Sequence, residues 1–184
     1  MFLFNITLYH FVAIFILIFS VSAFACDSLP ESVGTKYATI CYANEKGLQR
    51  FAKSIGKGSS FFSDGSEKDP SKAGEKVDSL VERVSSLLDM YPFDLYIKIY
   101  VYQNHNEIER AYIRMTTLGV FERIPVAFYS HKSRTIHVSV ENISAGILAH
   151  EIAHAVINFY FPEPPPERMQ EILAQYVDKH LWEE

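Results

Sequence analysis

Apolar and polar positions fall into two regimes along this chain. Phe11–Phe19 (FVAIFILIF) is an unbroken apolar run of nine residues, whereas beyond Cys26 the apolar positions recur with the periods of secondary structure. Lys36–Ala43 (KYATICYA) predicts a strand. Glu45–Ile55 predicts a helix, with Leu48, Phe51, Ala52 and Ile55 on one face. Residues 56–74 (GKGSSFFSDGSEKDPSKAG) collect Gly, Ser, Asp and Pro without periodicity and predict a long surface loop, pinned by Phe61 and Phe62. From Glu75, the positions Val77, Leu80, Val81, Val84, Leu87 and Leu88 follow helical spacing up to Pro92. Asp94–Gln103 alternates, with Leu95, Ile97, Ile99 and Val101 on a core face. A helix from Asn106 to Leu118, stopped by Gly119, then precedes two strands, Val126–Tyr129 and Thr135–Val140, joined by a turn at 131–134. Asn142 or Ser144 caps a helix over Ala145–Phe159, and Pro166 starts a last helix over Glu167–Leu181. The order β-α-α-β-α-β-β-α-α predicts an α+β fold without internal repeats.

Composition changes this picture mainly at the N-terminus. Residues 1–25 hold 20 apolar side chains and no Asp, Glu, Lys or Arg, and they end in Ala23-Phe24-Ala25, a small-x-small cleavage pattern. The expectation is a signal peptide over 1–25, followed by a single domain over 26–184 in an exported, periplasmic or secreted protein. The alternative is an uncleaved leader that anchors the domain to the inner membrane, because the segment carries no Lys or Arg ahead of its apolar run, leaving only the terminal amine and His10 to supply positive charge there. What remains is roughly 43% apolar, an ordinary soluble composition. A length of 184 residues suits one domain, and a net charge of −5 argues against nucleic acid as a partner. Cys26 and Cys41 are the only cysteines. Export favours a bridge between them, tying the mature N-terminus to the first strand, over two separate thiols.

Chemistry concentrates in His150-Glu151-Ile152-Ala153-His154. Four-residue spacing stacks both imidazoles on one helix face, where two nitrogens reach one ion, and Glu151 sits about 100° round the helix, beside water rather than metal. Leu148, Ile152, Ala155, Val156 and Phe159 give the same helix a separate apolar side. A hydrolytic centre needs a third protein ligand and an open position. Position 160 is Tyr, so a third histidine six residues on is absent, and the carboxylates that follow are Glu163, Glu167, Glu171 and Asp178. Glu163 lies among prolines close to the helix end, and Glu167 falls in a first turn, where it suits capping. Glu171 sits one turn deeper, where an antiparallel helix would bring it level with the histidines.

His150-Glu151-x-x-His154, followed by 165–174 (PPERMQEILA), resembles the gluzincin metallopeptidases, most closely their compact bacterial peptidase MA-like members. The resemblance reaches back to about Lys36, although only the metal helix and the Glu171 segment are specific. It implies a minimal zincin-like domain that holds Zn2+ through His150, His154 and Glu171, with Glu151 as general base and Ala174 as a small residue packed on the metal helix. Two positions depart from the pattern: Gln170 stands for Asn before the third ligand, and Ile172 for Gly after it. For an acidic partner to a ligand histidine the available groups are Gln175 and Asp178, and Asp178 serves equally well as a surface charge. Tyr160, Tyr176 and His180 are the candidates for a group that stabilises the reaction intermediate. His105, His131 and His137 have no metal spacing and fall in a loop, a turn and a strand.

The implied activity is zinc-dependent peptide hydrolysis by a metal-activated water. The resemblance also places Thr135–Val140 at a sheet edge, where an extended peptide or protein substrate would pair with it. Only thirteen residues follow Glu171, so the expected cleft is shallow or is completed by an envelope protein partner. The alternative is a non-catalytic zincin scaffold that binds an envelope partner; Glu151 argues against it, since a purely structural site needs no base.

Overall fold

The computed structural model describes residues 26, 28–56, 69–115 and 124–183. The leader over 1–25, Phe61 and Phe62, and the end of the third helix with Leu118 and Gly119 lie outside the described residues.

The architecture is α+β, with a five-stranded mixed sheet and five helices among the described residues. In chain order these are β1 (Glu31–Gly34), β2 (Ala38–Tyr42), α1 (Glu45–Ile55), α2 (Pro70–Leu88), β3 (Ile97–Tyr102), α3 (His105–Met115), β4 (Ala127–Ser130), β5 (Thr135–Ser139), α4 (Ala145–Tyr160) and α5 (Glu167–His180). The strands lie in the order β1-β2-β3-β5-β4. The inner three run parallel, and each edge strand is antiparallel to its neighbour.

Local chemistry explains most of the element ends. Asn44 opens α1 by accepting from the Gly47 N–H at 2.9 Å, and Ser144 opens α4 by accepting from that of Ile147 at 3.3 Å. The loop expected over 56–74 is shorter than its composition suggests: Asp69 caps α2 and Pro70 occupies its first turn, so the helix begins five residues before Glu75. The strand β1 was not expected, because its mostly exposed residues show no apolar alternation. Cys41 therefore lies on the second strand, and its disulfide to Cys26 ties the N-terminal segment there.

The two sheet faces differ. Helices α1, α2, α4 and α5 cover one face, and their apolar sides join Ile40, Ile97, Ile99, Val101, Ile136 and Val138 in the main core. The other face carries Cys41, Tyr100 and Tyr102, partly covered by Ile108 and Ala111 of α3.

The topology corrects the expected position of residues 135–140. All five residues of β5 are buried, and the strand is paired on both sides, parallel to β3 and antiparallel to β4. A strand buried on both faces needs neighbours on both sides, and the half-buried β4 is the edge.

Candidate metal centre

The antiparallel packing of α5 on α4 assembles the cluster. Gln170 meets Asn158, Glu171 meets His150 and His154, and a Cβ at Gly146 would overlap the Asp178 carboxylate. As the chain descends α5 it thus climbs back along α4. Ala174 is fully buried in the core shared with α4, as a small packing residue there requires.

His150 Nε2 and His154 Nε2 are 3.2 Å apart, and Glu171 places its two oxygens 3.5 Å from the first and 3.3 Å from the second. Ligands held about 2.0–2.1 Å from a tetrahedral ion stand about 3.3–3.4 Å from one another. Charge-assisted hydrogen bonds would instead be near 2.7–2.9 Å. The three groups thus stand at the mutual spacing of ligands to one ion, and His150, His154 and Glu171 can hold a metal. The side chains are graded towards solvent, His154 at 14%, His150 at 23% and Glu171 at 43% exposed, so the fourth direction is the wet one.

Glu151 is 9% exposed, buried beside this triangle rather than part of it. Burial, reinforced by the Glu171 charge, pushes its carboxyl up to about 7, and a hydrogen bond from the Tyr129 backbone opposes the rise. That N–H is available for a structural reason. Ser139 donates to Val126 at 3.0 Å, so by the antiparallel alternation Val126, Phe128 and Ser130 face β5 while Tyr129 turns its N–H outwards. Burial, then the neighbouring His150, also lowers the His154 pKa, against the Glu171 charge.

Gln170 and Asn158 form the surround that sequence patterning missed. Gln170 lies beside His154 and acts on its ring electrostatically. Its Oε1 accepts from Asn158 Nδ2 at 3.0 Å and its Nε2 donates to the Pro165 carbonyl at 2.7 Å. Asn158 also donates to the His154 carbonyl at 2.7 Å. The signal available in sequence was position alone, since Asn158 lies one turn beyond His154 and Gln170 directly precedes Glu171.

The other sequence candidates lie elsewhere. Asp178 sits at the first turn of α4, where its charge complements the free N–H groups. Gln175 is exposed. Tyr160 packs against Phe161, and Tyr176 lies on His180, which bonds Glu183; none of the three touches the cluster among the described residues. Glu163 and Glu167 are exposed. His131 is exposed in its turn, His105 begins α3 rather than lying in a loop, and His137 is buried on β5.

No helix among the described residues is long and apolar enough to cross a membrane. Compared with protein-family models, with curated proteins and with solved structures, the chain matches none of them.

Proposed function

We propose that this protein is an exported zinc metallopeptidase built on a minimal zincin-like domain. The observation that carries the reading is the triangle of His150, His154 and Glu171 at tetrahedral ligand spacing, with a carboxylate buried beside it that takes no part in the triangle. Two imidazoles and one carboxylate suit zinc and leave a position open. The Cys26–Cys41 bridge supports an oxidising compartment.

Zinc held there supplies Lewis-acid polarisation of a carbonyl and acidification of water. The chain supplies the remainder. Glu151 accepts a proton on its carboxylate and returns it to the departing amine, and the Tyr129 N–H fixes the orientation of that carboxylate. Gln170, through Asn158, holds the position of His154. An extended peptide pairs along the free edge of β4, the strand that borders Glu151, instead of along 135–140.

The test is metal analysis of the purified protein together with hydrolysis of a mixed peptide library. One equivalent of zinc is expected, with hydrolysis lost by about a thousandfold or more in Glu151→Gln while the zinc stays bound. Zinc without hydrolysis of any peptide would transfer the reading to a metal-held scaffold that binds an envelope partner. Failure to bind zinc would overturn both.

A further inference from the structure

On the sheet face remote from the metal centre lies a cleft of about 570 Å³, within the range of small-molecule sites. Its floor is aromatic. Tyr100 and His137 are cross-strand partners in its lining, with rings stacked at 5.4 Å, and Phe128, outside the lining, backs His137 at 4.6 Å. Tyr96 and Tyr102 extend the lining, Lys98, Arg114 and Arg134 supply positive charge, and no Asp or Glu among the described residues lines the cleft. In a protein of net charge −5 this is a local inversion of sign.

The second observation is a polar group without a partner. His137 is 2% exposed and lines the cleft, yet its Nε2 has no hydrogen bond. Its other nitrogen lies 3.1 Å from the Tyr102 hydroxyl. In the tautomer whose Nδ1 accepts from the Tyr102 hydroxyl, Nε2 carries the hydrogen. A buried N–H with nothing to receive it is destabilising. An anion is the natural acceptor, because the Arg114 charge already acts on both His137 and Tyr102. Arg114 is exposed and forms no ion pair among the described residues.

We propose that this cleft binds a small ring-bearing carboxylate, its flat body against the tyrosine rings and its carboxylate between Arg114 and the His137 Nε2–H. The stacked rings favour a planar apolar body, and a fork of guanidinium donors favours a carboxylate. This site is independent of the metal centre.

Benzoate is the probe, with acetate and benzyl alcohol as controls, titrated into the protein by calorimetry and by NMR of the His137 ring. Benzoate is expected to bind with a dissociation constant at or below about 1 mM, at least tenfold tighter than either control. The His137 resonances should shift, and a metal chelator should leave the titration unchanged. Arg114→Gln, on an exposed position that leaves the core intact, should weaken binding at least tenfold with an unaltered thermal transition. His137→Phe removes the acceptor-seeking N–H, but Arg114→Gln decides the matter if that variant fails to fold. No saturable binding, equal binding of acetate, or undiminished binding in Arg114→Gln would each overturn the proposal.

Discussion

Gln170 occupies the position where the resembled ligand segment carries Asn, and the structure gives it work that the substitution alone does not suggest. It accepts from Asn158 and donates to the Pro165 carbonyl, and Asn158 in turn donates to the His154 carbonyl, so it couples the proline turn to the position of His154. Partners of this kind are worth about 10–100-fold in metal affinity. Gln170→Ala is therefore expected to weaken zinc binding by that factor with little change in unfolding midpoint of the metal-free protein; competition against a chromogenic chelator measures it. The second departure, Ile172, is 58% exposed, and a side chain pointing away from the packed helix pair has no reason to be Gly. At this scale the sequence made the candidate His150–His154 pair legible, because a spacing of four stacks residues on a helix. It left Tyr129 silent, since a backbone N–H carries no residue signature, and only the pairing register turns that N–H towards Glu151.

Elements place Glu171 beside the two histidines, and α5 depends on a residue far away in sequence. Arg83 on α2 donates to the carbonyls of Leu181 at 2.9 Å and His180 at 3.4 Å, and to that of Glu183, satisfying the end of α5 with a positive charge where the helix dipole favours one. Arg83→Ala should lower stability by about 1–2 kcal/mol, read as a shift in urea midpoint. It should also weaken zinc binding, because α5 carries Glu171. The helices were legible from apolar spacing and caps, and α1 begins and ends where its pattern does. The start of α2 was not, because its first five residues, Pro70-Ser71-Lys72-Ala73-Gly74, are mostly of types that also make loops. Sheet order was equally hidden. Thr135–Ser139 and Ala127–Ser130 are both short and mixed in character, and only the pairing of β5 with β3 decides which is the edge.

Taken as a whole, the molecule has one sheet with two unlike faces, a helix-covered face whose helices carry the candidate metal cluster and an aromatic face stapled by the Cys26–Cys41 bridge. The cysteines are 15 residues apart, and a loop of that size is worth about 3 kcal/mol by loop-closure entropy; Cys26→Ser with Cys41→Ser should lose stability of that order in chemical denaturation. The aromatic face also writes a pH dependence into the fold. His137 is held neutral, mainly by burial and further by the Arg114 charge, and its pKa falls from the ordinary 6.5 to about 4, with Tyr102 on Nδ1 and the rings of Tyr100 and Phe128 on either side. Between those values the unfolded chain binds the proton and the folded chain does not, so stability is full above about pH 6.5 and declines as pH falls towards 4. The slope approaches about 1.4 kcal/mol per pH unit and the total loss about 3 kcal/mol. Glu151 acts in the opposite sense, since its raised carboxyl favours the folded state as pH falls from about 7 towards its ordinary 4.5. The two contributions overlap, and a single titration of stability against pH would blur them. Comparing wild type with His137→Phe in chelator separates them, because Glu151 contributes equally to both. At pH 7 the variant loses the acceptor of the Tyr102 hydroxyl but also sheds the unpartnered Nε2, two effects of opposite sign. Whatever that starting offset, its stability relative to wild type should rise as pH falls from 7 to 4 in urea titrations, and parallel curves for the two proteins would show that His137 is not held neutral.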